Sequence, residues 1–241
     1  MSTIRREVIG NATLYLGDAL EVLAMLEPGS VSAVLADPPY SSGGAHKGDR
    51  SAATSSKYQS SPHRGLYPQF AGDTRDQRGF LAWSTMWMSR ARLVTQPGAI
   101  SCVFSDWRQL PITTDAVQAG GWVWRGIVPW DKTERVRPQL GRYRAQAEYI
   151  VWSTNGARPL VGPVAPGVIR EPIPPVKHHI AGKPVGLMER LMSVMDAGPI
   201  LDPFMGSGTV GLACAAAGRP YIGIEVEPAY FEIACERLAA R

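Results

Sequence analysis

The chain has 241 residues, 45% of them hydrophobic, enough to bury a sizeable core. No apolar run approaches the ~20 residues of a membrane span. The net charge of +4, from 25 basic and 21 acidic residues, is too mild to mark a polyanion-binding protein by itself. Cys102, Cys214 and Cys235 show neither paired nor metal-ligand spacing, and His178-His179 lacks a convincing set of further ligands, so no metal site is expected. The opening segment MSTIRREVIG has no apolar centre of the signal-peptide kind, and the expectation is a reduced, cytoplasmic protein.

In chain order, the short strand LYLG runs into Asp18 and the amphipathic stretch DALEVLAMLE (18–27). SVSAVLA (30–36) reads as a buried strand ending in DPPY (37–40). Residues 41–79 are rich in Ser, Gly, Arg and Gln with little apolar periodicity, as an inserted binding loop or lid would be. A helix over 80–94, a strand over 98–104 and a strand over 147–153 follow. Residues 155–178 form a Pro- and Gly-rich connector. Then come a helix over 185–197, a strand over 198–204, a helix over 209–218, a strand over 220–226 and a helix over 228–240. This alternation predicts an α/β fold with a doubly wound, mostly parallel sheet, organised as one domain across 1–241.

ILDPFMGSGTVG (200–211) passes from strand through Gly206-Ser207-Gly208 to a helix beginning near Thr209. Glycine lets the backbone bend tightly and approach a ligand, and a helix N-terminus offers free N–H groups. The following strand ends at Glu225, whose carboxylate suits the two hydroxyls of a ribose. The order of strand, glycines, helix, strand and acid points to an adenosine-containing cofactor and leaves open a dinucleotide or S-adenosylmethionine.

DPPY at 37–40, DPFMGSGT at 202–209, HHIAGKPVGLMERL (178–191) and GRPYIGIEVEPAYFEIACERL (218–238) together resemble the β-class amino-group DNA methyltransferases. In that class the catalytic motif precedes the cofactor motif, a circularly permuted order that this chain shares. The resemblance runs from residue 14 to the C-terminus and thins over 41–79 and 155–177. It implies the S-adenosylmethionine-dependent methyltransferase fold, S-adenosylmethionine as cofactor, and transfer of its methyl group to an exocyclic amine of a base flipped out of duplex DNA. By this resemblance Asp202, Pro203, Phe204, Gly206, Ser207, Gly208, Thr209 and Glu225 bind the cofactor. Asp18 approaches its adenine, with a helix N-cap as the other reading. Lys183 matches the segment flanking its methionine end, with a lysine before a proline-started helix as the other reading.

The chemistry of Asp37, Pro38, Pro39 and Tyr40 suits that reaction. The lone pair of an exocyclic amine is delocalised into its ring and must be localised before it attacks. Asp37 can accept an amine N–H, Pro38 offers a second acceptor in its carbonyl, and the two prolines fix the loop. Tyr40 presents a face on which a flipped base can stack. The acid in DPPY resembles adenine-N6 members, whereas cytosine-N4 members more often carry serine there. Two segments are candidates for DNA contact: 41–79, with Lys47, Arg50 and Lys57, and 125–147, with Arg135, Arg137, Arg142 and Arg144 around Tyr143. Between 125 and 144, six basic residues face two acidic ones, so this short stretch carries as much net charge as the whole chain. With so little chain left for a recognition domain, a homodimer sharing its DNA footprint is expected. A cytosine-N4, RNA or protein-amide methyltransferase is the same-chemistry alternative. A nicotinamide-dependent oxidoreductase would explain the glycines and Glu225 but not DPPY. A non-catalytic DNA-binding protein would leave the glycine turn idle.

Overall fold

A computed structural model describes residues 4–40, 75–138, 140–174 and 182–241. The proposed 41–79 loop therefore lies outside the described residues up to 74, as do Lys47, Arg50, Lys57 and His178-His179. Its end is helical: α2 spans Gln77–Val94 and is capped by Asp76, whose Oδ1 accepts the Gly79 N–H at 2.7 Å.

The strands β1 (Arg5–Ile9), β2 (Ala12–Leu16), β3 (Val31–Ala36), β4 (Thr95–Ser105), β5 (Val123–Asp131), β6 (Ala147–Thr154), β7 (Ile169–Arg170), β8 (Ile200–Asp202) and β9 (Tyr221–Glu225) form one sheet in the order β1-β2-β9-β8-β3-β4-β6-β5-β7. The stretch β2-β9-β8-β3-β4 is parallel throughout. β1 is an antiparallel edge on β2, and β6 runs antiparallel to both β4 and β5. The sheet is thus mostly parallel, with a reversed strand in its second half.

β3 is buried along its whole length because both faces of the sheet are covered. Ala33 and Leu35 point into a core shared with α4 (Val185–Met192), α5 (Thr209–Ala216) and α6 (Pro228–Ala239). Val34 and Ala36 point into the opposite core, shared with α1 (Ala19–Leu23), α2 and α3 (Leu110–Ala119). The alternation follows the two-residue period of a strand. α3 escapes the sequence reading because Thr113, Thr114, Asp115 and Gln118 dilute its apolar pattern; Pro at its first turn starts it, and Ala116 and Val117 anchor it.

α2 leads from β3 to β4 on one face, and α5 leads from β8 to β9 on the other. The chain order reverses between β3 and β8, which lie side by side, so their carboxyl ends open into the crevice where an α/β sheet binds ligands. The third glycine of the turn-and-helix stretch, Gly211, serves packing. A Cβ there would sit 2.8 Å from Tyr221 Cε1 and 3.2 Å from Leu238 Cδ1. Gly211→Ala should therefore lower stability by about 1–3 kcal/mol, as overpacking of a filled interior does. Denaturant midpoints of the two proteins measure this; an unchanged midpoint would show that α5 shifts freely.

Candidate active site

Asp37 leaves the end of β3 with its carboxyl in a cavity of about 470 Å³, lined also by Pro38, Pro39, Tyr40, Asp202 to Ser207 and Glu225. Its Oδ2 accepts from Lys183 Nζ at 2.7 Å, whereas its Oδ1 is buried and has no hydrogen-bond partner among the described residues. Burial pushes the Asp37 carboxyl above its ordinary range, and the Lys183 ammonium opposes that push. Lys183 also lies 3.4 Å from Glu148 Oε2 and 3.4 Å from the Tyr40 hydroxyl. The Tyr40 hydroxyl donates to Glu148 Oε2 at 3.2 Å, and Lys132 Nζ donates to Glu148 Oε1 at 3.3 Å. Burial would lower the Lys183 ammonium, but Asp37 and Glu148 outweigh it and hold it above the ordinary value. Burial would likewise raise Glu148, yet Lys183 and Lys132 bring it below the ordinary range.

The other half of the cavity is the β8 turn. Gly206 and Gly208 adopt φ of 50° and 80°, the left-handed region that glycine enters without strain. Asp202 is buried, accepts from Phe204 N–H at 3.1 Å and from the Tyr221 hydroxyl at 3.2 Å, and is pushed by burial up to about 8. Glu225 accepts the Gly206 N–H and the Glu227 N–H, each at 2.8 Å, and burial pushes it up to about 7. Beside them the Phe204 ring packs 5.3 Å from Trp83 and 5.1 Å from Trp87, and Arg75 lies 4.1 Å over the Trp83 ring.

Most residues singled out from sequence meet here: Asp18, Asp37, Pro38, Pro39, Tyr40, Lys183, Asp202, Pro203, Phe204, Gly206, Ser207, Thr209 and Glu225 all line the one cavity. Three placements refine the reading. Gly208 is not among the lining residues; its missing Cβ makes room for Ala234 of α6, 3.1 Å away. Asp18 caps α1, its Oδ1 accepting from Leu20 and Glu21 N–H groups, while still bordering the cavity. Lys183 takes Asp37 as its shortest ion-pair partner. Arg135, Arg137, Arg142 and Arg144 are exposed; Arg144 donates to the Glu134 and Val136 carbonyls, which folds the segment on itself. Sequence reasoning missed Glu148, Lys132, Trp83 and Arg75, and also Trp107, an exposed ring at the cavity rim with Arg108 5.1 Å from its centre. Among the described residues no group of three or more His, Cys, Asp or Glu could hold a metal ion, and no helix is long and apolar enough to cross a membrane.

A family model described as DNA methylase, of the N6/N4 type, matches residues 31–165 and 165–236. The chain belongs to that family. It is similar to the type II methyltransferases M2.LlaDCHI of Lactococcus lactis subsp. cremoris, 26% identical over 95% of this chain and 89% of that one, and M.Cfr9I of Citrobacter freundii, 26% identical over 95% and 88%. Among solved structures it shares its fold with M1.HpyAVI in complex with SAM (TM-score 0.62, 23% identical, 94% of this chain and 98% of that one). It shares it also with the cytosine-N4-specific PvuII DNA methyltransferase (TM-score 0.70, 17% identical, 95% and 87%). The protein is a DNA amino-methyltransferase, and its cofactor is S-adenosylmethionine.

The residues present fit that cofactor better than a dinucleotide. A pyrophosphate needs free N–H groups at the glycine turn, but Gly206 N–H is taken by Glu225, Phe204 N–H by Asp202 and Gly208 N–H by the Met205 carbonyl at 2.8 Å. Asp202 and Glu225 add two buried carboxyl groups to the same wall, and their ionised forms would be favoured by a cation and disfavoured by a phosphate. Those carboxyls also set a pH dependence. Each binds its proton more tightly in the fold than in the unfolded chain, so the folded state holds more protons and stability falls as pH rises. For Asp202 the decline should run between 3.8 and about 8, and for Glu225 between 4.5 and about 7. Urea midpoints measured without cofactor across that range should decline, and Asp202→Asn should flatten much of the slope; a slope unaltered by the substitution would remove Asp202 as its source.

Proposed function

We propose that this methyltransferase acts on the N6 amine of adenine at a specific site in duplex DNA, with Asp37, Pro38, Pro39 and Tyr40 as the residues that receive the base. The observation that carries the reading is the buried, unpartnered Oδ1 of Asp37 at the end of β3, beside the strand that ends in the cofactor turn. An unpaired buried acceptor is unfavourable unless a donor comes to it, and an exocyclic amine is such a donor.

When bound, S-adenosylmethionine supplies an electrophilic methyl group on a sulfonium. The chain orients the nucleophile. Asp37 Oδ1 accepts one amine N–H and the Pro38 carbonyl the other, drawing the lone pair out of the ring plane and toward the methyl. Tyr40, held through its hydroxyl by Glu148, presents a fixed face for the base. Once methylated, the amine is a cation whose excess proton leaves readily, so no strong base has to act before attack. The cavity that Asp18, Phe204, Gly206, Ser207, Thr209 and Glu225 share supports their reading as cofactor residues. The acid at position 37 supports adenine over cytosine N4, since serine is the more frequent residue in cytosine-directed members. The exposed arginines 135, 137, 142 and 144, with Tyr143 between them, are the proposed phosphate contacts. A second protomer would extend that surface along the duplex.

Methyl-free phage DNA incubated with the protein and labelled S-adenosylmethionine, then digested to nucleosides, should yield N6-methyladenine. Label confined to N4-methylcytosine would overturn the base assignment while keeping the chemistry. Asp37→Ala should cut transfer by about 10²–10⁴-fold, with cofactor affinity nearly unchanged by calorimetry. Retained turnover would remove Asp37 from the mechanism.

A further inference from the structure

The acceptor role of Asp37 demands a charged carboxylate in a place where burial favours the neutral acid. Around it the fold builds an alternating chain of charge: Asp37, Lys183, Glu148 and Lys132, linked at 2.7, 3.4 and 3.3 Å. The Lys183 side chain is 5% exposed, and its ammonium sits 5.2 Å from the Phe104 ring centre and 5.7 Å from that of Tyr40, which walls it from water. A free surface lysine has no such surroundings. Glu148 touches three members of the cluster at once, through Tyr40, Lys132 and Lys183.

We propose that Lys183 and Glu148 are positioning residues: Lys183 holds the Asp37 carboxylate ionised through Oδ2 so that Oδ1 stays free for the substrate amine, and Glu148 holds Lys183 and the Tyr40 ring in place. This rests on the reading of Asp37 as the amine acceptor. The division of labour between the two carboxylate oxygens follows from the geometry, since Lys183 occupies one and leaves the other unpaired. A buried ammonium with one carboxylate partner would have a single fixed geometry. With two partners and a tyrosine hydroxyl in reach, it stays satisfied as the amine docks.

Among the described residues, Lys183 ahead of α4 and Glu148 at the start of β6 bear directly on Asp37; Tyr40 on its own loop and Lys132 just past β5 bear on those two, while Asp37 in turn raises Asp202 at the end of β8 and Glu148 raises Asp106 after β4. Removing the cation at Lys183 must make the Asp37 carboxyl easier to protonate. Removing the anion at Glu148 must make it harder, because Glu148 raises the Asp37 carboxyl. The two changes therefore act in opposite directions on one group, which a loss of packing would not do.

The test is the pH profile of single-turnover methyl transfer to phage DNA at saturating S-adenosylmethionine for wild type, Lys183→Gln and Glu148→Gln, with Asp37→Ala as control. Lys183→Gln should move the acid limb to higher pH, losing activity several-fold relative to its own plateau where wild type still runs fully. Glu148→Gln should move the limb to lower pH. Infrared titration of the Asp37 carboxyl, as the difference between each protein and its Asp37→Asn counterpart, should show the same order without turnover. Limbs that stay put or move together, with carboxyl titrations to match, would overturn the proposal. An active Asp37→Ala would instead sink the acceptor reading on which it rests.

Discussion

A half-buried carboxyl group held against a buried lysine is the interaction on which the proposed site depends. Asp37 stands at the end of a strand covered on both faces, its side chain 25% exposed and its Oδ1 buried, so water stabilises its charge only in part and protein groups supply the rest. The ion pair with Lys183 supplies that compensation, and it requires α4 to begin where it does, with Pro184 as its N-cap directly after the lysine. Pro184 makes no side-chain cap; its extended conformation turns the chain from the lysine into the helix. The short segment ahead of α4 is therefore as much a part of the reaction centre as the loop that carries the aspartate.

Topology delivers the remaining groups. The parallel stretch places the carboxyl ends of β3 and β8 side by side, which brings together Asp37 and Asp202, 165 residues apart in sequence, and with Asp202 the glycine turn that follows it. Parallel strands alone would not supply Glu148. Because β6 runs antiparallel, its first residues, not its last, lie at the carboxyl end of β4: Tyr149 pairs with Ser105 and Ala147 with Asp131. The reversal carries an acid from the beginning of one strand to the same rim as a lysine just past the end of another.

That reversal also explains what the sequence does and does not disclose. Asp37, Asp202, Gly206 and Glu225 are legible because each sits at a strand end beside punctuation, where proline, glycine and acid have few structural reasons to cluster. The doubly wound sheet is legible for the same cause, since its apolar runs are short and bounded. Glu148 is a single acid before IVW, and nothing local tells which way its strand runs or what it faces. Trp83 reads as one more apolar position of α2; only the packing of that helix against the β8 turn brings its ring to Phe204. Gly208 gives the reverse lesson. It belongs to a ligand-binding pattern, yet its space is filled by Ala234.

Charge in the cavity also accounts for the direction of the chemistry. Asp202 and Glu225 lie on the cofactor side with their oxygens turned to backbone N–H groups and a tyrosine, partners that offset part of the cost that burial puts on their ionised forms. Lys183 and Lys132 lie on the other side, next to Glu148. A bound cation would favour the ionised form of the first pair, while the opposite wall pairs Asp37 and Glu148 with two lysines and presents no net charge to a neutral base. On the proposed reading, transfer of the methyl group moves positive charge from the cofactor side toward Asp37 Oδ1. Lys183, between Asp37 and Glu148, favours the ionised form of the proposed receiving carboxyl before that charge arrives.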